Sequence, residues 1–171
     1  LTSPDGDQGF PGELRVTVTY TFDDHNALGI AYRATTDKTT LVNLTNHAYF
    51  NLDGHDAPDV RDQELQVSAT DVTEVGDGLI PTGRLLPQAD LPYGFATAKR
   101  LGDVLDQTAG DPTMKPAGGV YFNYAAGDDR LTKLIAVLYS PKTGREMKVF
   151  TDMPGVQVYT GQGLHQKGKG G

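Results

Sequence analysis

The sequence predicts an all-β protein built as an antiparallel β-sandwich, and three observations carry that expectation. One long stretch alternates between apolar and polar residues, several shorter β-type runs recur between turn residues, and helical periodicity is scarce. Many strands without long helices leave sheet-on-sheet packing as the way to bury apolar faces. A chain of 171 residues is long enough for one hydrophobic core and short for two, so residues 1–171 read as a single domain.

Each element has its own warrant. Leu14, Val16, Val18, Tyr20 and Phe22 occupy every second position with Arg15 and three threonines between them, the period of a half-buried strand. Asp23-Asp24-His25-Asn26 supplies turn chemistry, and Leu28, Ile30, Tyr32 and Ala34 then alternate again, so the pair reads as a hairpin. Further strands are expected at Thr40–Leu44, Gln63–Ala69, Lys133–Tyr139, Glu146–Thr151 and Val156–Thr160, bounded by Gly, Pro, Asp or Asn. Leu101, Val104 and Leu105 stand at helical spacing within Thr97–Asp106, enough for two turns of helix. Gly110–Gly119, with two prolines, reads as an exposed loop, and Gly161–Gly171 as a mobile tail with almost nothing to bury.

Charge and composition exclude several function classes. With 15 basic against 22 acidic residues the net charge is −7, a field that repels phosphate backbones and anionic lipid. Neither nucleic acid nor a membrane surface is an expected partner. No apolar run approaches the roughly 20 residues needed to cross a bilayer, and Leu1–Gly12 has no leader-like pattern, so a cytoplasmic location is expected. Zero cysteines exclude disulfides, thiolate metal sites and a cysteine nucleophile. His25 and His55 lie in Asp-rich turns and His165 in the tail, none at the spacing of a second metal ligand. Asp5, Asp7 and Glu13 read as solvated turn residues, and Gly161-Gln162-Gly163 lacks the lysine of a phosphate loop. No metal and no cofactor is expected.

The run Val42-Asn43-Leu44-Thr45-Asn46-His47-Ala48-Tyr49-Phe50-Asn51-Leu52 sets a histidine and three asparagines beside two aromatic rings. Rings can stack on the C–H faces of a sugar while amides bond its hydroxyls. The same residues also suit a structural role, with the rings in a core, the asparagines capping turns and His47 hydrogen-bonded in place. On chemistry alone the structural reading is favoured, because a lone histidine is a weak motif.

The pattern Asn43 to Leu52 resembles the signature of the aldose 1-epimerase (galactose mutarotase) family. Agreement extends to Ser3–Gly12, to Leu79-Ile80-Pro81-Thr82-Gly83 and to Pro154-Gly155-Val156-Gln157-Val158-Tyr159-Thr160-Gly161, four matches in order across nearly the whole chain. The resemblance implies a partial β-sandwich of the mutarotase type, a small-molecule hexose as ligand, and interconversion of α and β anomers without metal or cofactor. One group removes the proton of the anomeric hydroxyl, another protonates the ring oxygen, and the ring opens and recloses. By motif position His47 is the acid, a role suited to an imidazole whose ordinary pKa lies near 6.5. Ala48, Tyr49, Tyr121 and Gln157 are implied as substrate-binding.

The resemblance also implies parts that these residues do not contain. The family's base is a glutamate that would follow the Gly168–Gly171 run, and an arginine and a histidine that bind substrate would precede Leu1; remaining segments of the same protein are therefore expected partners. Within the chain, Tyr121 stands where the family usually carries a sugar-binding aspartate. Pro92-Tyr93-Gly94-Phe95 replaces a Pro-Phe-Asp-Phe type of pattern. These departures sustain a second expectation beside the isomerase: a catalytically degenerate mutarotase-like scaffold or carbohydrate-binding subunit.

Overall fold

The computed structural model describes residues 1–127 and 131–164. Readings of His165 and the Gly168–Gly171 run concern residues outside the described ones. The chain divides into two compact units, Leu1–Ala48 and Tyr49–Gly171.

In the first unit, β1 (Thr2–Ser3) lies beside β2 (Leu14–Phe22), which pairs antiparallel with β3 (Leu28–Thr36) along its whole length, Leu14 opposite Thr36 and Phe22 opposite Leu28. The hairpin turn follows from side-chain chemistry. The Asp23 carboxylate accepts the N–H groups of His25 and Ala27, and Asn26 takes the left-handed conformation that asparagine tolerates. Asp5 accepts the Gly12 N–H at 2.6 Å and pairs with Lys38, Ser3 donates to Asp7, and Glu13 pairs with Arg15. These carboxylates tie turns and strand ends, as their composition suggested. The expected strand at Thr40–Leu44 does not form: the segment is irregular, because no described backbone pairs with it and propensity alone does not make a ladder.

The second unit holds two four-stranded antiparallel sheets made from β4 (Glu64–Val67), β5 (Asp71–Val75), β6 (Pro81–Pro87), β7 (Lys99–Arg100), β8 (Tyr121–Ala125), β9 (Lys133–Tyr139), β10 (Glu146–Thr151) and β11 (Gly155–Tyr159). One sheet runs β10-β9-β4-β7 and the other β11-β8-β5-β6. Each turns an apolar face into a shared core, Leu65, Val67 and Ile135 from the first sheet and Val72, Phe122 and Tyr124 from the second. A bulge where β9 meets Val149 and Phe150 of β10 lets the consecutive residues Ile135 and Ala136 both be buried. The helix α1 (Leu101–Gln107) is the expected two turns, burying Leu101 and Val104 at helical spacing.

Strands β5, β6 and β8 were not expected, because polar or proline residues interrupt their apolar pattern and only sheet neighbours make them extended. The loop 110–119 also departs from expectation: it is a series of turns in which Met114 and Gly119 are buried, so it covers the core as well as facing solvent. At the start of the expected tail, Gln162 donates to the Ala117 carbonyl at 2.7 Å and accepts from Thr160, which ties residues 160–162 to that loop.

The two sheets are linked by one buried amide. Gln88 donates to the carbonyls of Ala69 at 2.6 Å and Val67 at 3.3 Å, and its oxygen accepts the Phe95 N–H at 2.6 Å. The chain between Gln88 and Phe95 consequently turns tightly and delivers two rings to the core. Tyr93 stacks on Phe122 with centroids 4.2 Å apart, and Phe95 lies against Tyr124 at 6.1 Å. A Cβ on Gly94 would sit 2.1 Å from the Gln88 carbonyl oxygen. The backbone therefore excludes any side chain there, a carboxylate included.

Two outcomes follow for stability. Gly94→Ala should lower the free energy of unfolding by at least about 2 kcal/mol, because the clash is with backbone, measured by urea denaturation of the parent and variant. The Tyr124 hydroxyl donates to the Tyr93 carbonyl at 2.7 Å, and burial pushes both phenols above the ordinary tyrosine range. Folding thus holds protons that the unfolded chain releases from about pH 10 upward, so stability should be unaffected below that and fall as pH rises through it. An alkaline titration followed by phenolate absorbance should show these two rings ionising only with unfolding.

Candidate active site

Strand alternation builds the site. Phe122 and Tyr124 point into the core, so Tyr121 and Asn123 stand on the opposite face of β8; on β11, Val156 and Val158 pack toward the core and Gln157 and Tyr159 face outward with them. The register sets Tyr121 directly opposite Tyr159 and Asn123 opposite Gln157. On the next strand, the Thr73 hydroxyl accepts from the Asn123 amide at 2.8 Å. These groups open onto a hollow of about 210 Å³ whose lining also includes Val75, Leu79 and Pro81.

The rings beside the hollow form a fixed series. Tyr159 meets Tyr121 edge-on, centroids 5.2 Å apart at 71°, and meets Tyr49 at 6.0 Å and 65°. Its hydroxyl accepts the Gly163 N–H at 2.9 Å, and a Cβ on Gly163 would come within 2.8 Å of that oxygen. Among the described residues no charged side chain lines the hollow. Glu74 on β5 is engaged by Arg84 and Thr82, and the guanidinium holds its carboxyl below the usual range.

Of the residues expected from sequence, the structure brings Tyr121 and Gln157 onto one surface and sets Tyr49 against their neighbour Tyr159. His47 and Ala48 close the first unit on exposed, irregular chain. His47 lies within an Asx turn, since the Asn46 side-chain oxygen accepts the Ala48 N–H at 3.0 Å. Asn46 also donates to the Tyr20 hydroxyl at 3.4 Å. In the second unit, Asn51 accepts from the Gln63 side chain at 2.7 Å and from the Asp53 N–H at 3.0 Å, and donates to the Asp59 carbonyl. The Gln63 side-chain oxygen accepts the Leu52 N–H, and the Leu52 carbonyl accepts from Thr143 and Arg145. Asn46 and Asn51 therefore hold turns, the structural half of the earlier alternatives, and the chain carrying Tyr49 and Phe50 leaves from a firmly bonded anchor.

Asn123, Thr73 and Tyr159 were not singled out from sequence. The available signal was the period of two: once Tyr121 and Gln157 are named, Asn123 and Tyr159 are their next neighbours on the same face. Among the described residues no group of three or more His, Asp or Glu is placed to hold a metal ion, and His25 and His55 are exposed turn residues. Among the described residues no helix is long and apolar enough to cross a membrane.

Comparison with known proteins sets this surface in context. The chain matches the aldose 1-epimerase family over residues 1–170. It is 39% identical to the galactose mutarotase of Rattus norvegicus over 171 residues, covering 99% of this chain and 48% of the relative. It is 39% identical to the aldose 1-epimerase of Escherichia coli (strain K12) over 164 residues, covering 96% and 46%. The crystal structure of an aldose epimerase homologue from C. elegans superposes with a TM-score of 0.81 at 30% identity, covering 96% of this chain and 48% of that one. A galactose 1-epimerase from Lactobacillus acidophilus NCFM gives 0.70 at 29% identity, covering 82% and 40%. The chain spans about half the length of the relatives it matches.

The Asn51 anchor is open to test. Asn51→Ala leaves the buried Gln63 amide without its acceptor, and should cost about 1–3 kcal/mol of stability in urea denaturation.

Proposed function

Because this chain belongs to the aldose 1-epimerase family, we propose that the protein interconverts the α and β anomers of a free hexose of the glucose or galactose type. His47 gives a proton to the ring oxygen while a base removes the proton of the anomeric hydroxyl. The bond from C1 to the ring oxygen breaks, the hydroxyl oxygen becomes the aldehyde oxygen, and rotation about C1–C2 precedes reclosure on the other face. Reclosure returns the proton from the ring hydroxyl to His47 and one from the base to O1, so the cycle leaves the protein unchanged. The base in this reading is a glutamate outside these 171 residues.

Gln157 bonds the sugar's hydroxyls, the Tyr121 phenol takes the place of a carboxylate as a hydrogen-bonding group, and Ala48 and Tyr49 line the pocket. The observation that carries the reading is the uncharged outer face of β8 and β11, where Gln157, Asn123 and tyrosine rings converge on a small hollow within a fold shared with epimerases. Amides for hydroxyls and rings for C–H faces are what a neutral sugar requires, and the reaction draws on proton transfer alone.

Polarimetry on freshly dissolved α-galactose and α-glucose tests this with the complete gene product. Mutarotation should run well above the spontaneous rate, and His47→Ala should lower kcat by about 10²- to 10⁴-fold. Equal acceleration by the parent and His47→Ala would remove the acid assignment. Sugar binding without acceleration would favour the carbohydrate-binding scaffold.

A further inference from the structure

Tyr121 lines the hollow as the first residue of β8, and its ring is half exposed, so packing against the core does not fix its rotamer. The backbone beneath it is settled. Tyr159, the last residue of β11, pairs with it across the ladder, and just beyond them the Thr160 N–H donates to the Val120 carbonyl at 3.2 Å. The Tyr159 ring stands edge-on to the Tyr121 ring with centroids 5.2 Å apart. That contact across the strands limits where the Tyr121 phenol can point.

Tyr159 is itself held from two sides. Tyr49 meets its ring at 6.0 Å, and its hydroxyl accepts the Gly163 N–H at 2.9 Å. The hydroxyl has room there because position 163 is a glycine: a Cβ would come within 2.8 Å of the oxygen. The crowded atom is the tip of a side chain and Gly163 is exposed, so a side chain at 163 would push the Tyr159 ring aside and leave the strands in place. A phenol fixed in direction before binding spares the cost of ordering it in the complex.

We infer that Tyr159 is a positioning residue for the sugar site: locked by the Gly163 N–H, it holds the Tyr121 phenol in its bonding direction, and so acts on substrate affinity and not on proton transfer. This rests on the reading that Tyr121 touches the sugar.

Polarimetry with α-galactose and the complete gene product gives kcat and KM for the parent and its variants. Tyr159→Leu should raise KM about three- to tenfold, the scale of one aromatic pair, with kcat within about twofold of the parent. A chain carrying both Tyr121→Leu and Tyr159→Leu should have the KM of Tyr121→Leu alone, because the second change acts only through the first. Gly163→Ala should also raise KM, and adding Tyr159→Phe, which removes the crowded oxygen, should return it to the value of Tyr159→Phe alone. Thermal melting followed by circular dichroism identifies the folded variants; a role in folding alone would lower the melting temperature and leave KM unchanged. An unchanged KM in folded Tyr159→Leu or Gly163→Ala overturns the inference, as do losses that multiply in the double variant. No acceleration by the parent, with no heat of galactose binding in calorimetric titration, overturns the epimerase reading along with it.

Discussion

The outward face of β8 is set by what its inward face must bury. Phe122 and Tyr124 are large, and their places in the core are fixed by Tyr93 and Phe95, which the Gln88 amide brings in by holding the chain at both ends of a tight turn. A buried amide with all its bonds made costs little, whereas one with a bond missing costs more than the bond gains, so this turn has a single acceptable form. Strand alternation transmits the constraint through the sheet. With Phe122 and Tyr124 inward, Tyr121 and Asn123 have no alternative but to face the hollow, in register with Tyr159 and Gln157.

The same constraint explains one of the chain's departures from the family pattern. Gly94 lies in the turn beneath Gln88, where the backbone carbonyl leaves no room for a Cβ. Its missing carboxylate goes with the backbone packing of this chain, which leaves no room for a side chain at that position. Tyr121 is a different matter, because it lies in the hollow itself. Replacing a carboxylate with a phenol there leaves a surface without formal charge and adds a ring to the Tyr49–Tyr159 series.

The signature around His47 shows the structural role that its composition allowed at two of its asparagines. Asn46 shapes the turn that contains His47, and Asn51 fastens the following chain through Gln63, so these asparagines act on local chain geometry. The aromatic residues between them are half exposed, Tyr49 at 52% and Phe50 at 50%, so they lie outside the core, with Tyr49 set edge-on against Tyr159.

The sequence by itself determined the all-β class, the long β2–β3 hairpin with its Asp-Asn turn, the two-turn helix, and four further strands, because in each a local period or turn chemistry agrees with the final environment. The family signature was likewise legible, since it consists of residue identities in order. Only the tertiary structure decided that Thr40–Leu44 stays irregular, that the polar-interrupted segments 71–75, 81–87 and 121–125 become strands, and that Asn123, Thr73 and Tyr159 join Gln157 and Tyr121 on one surface. Strand pairing and shared faces are relations between distant segments, and the hydrogen-bond partner that makes a polar stretch extended is not encoded within that stretch.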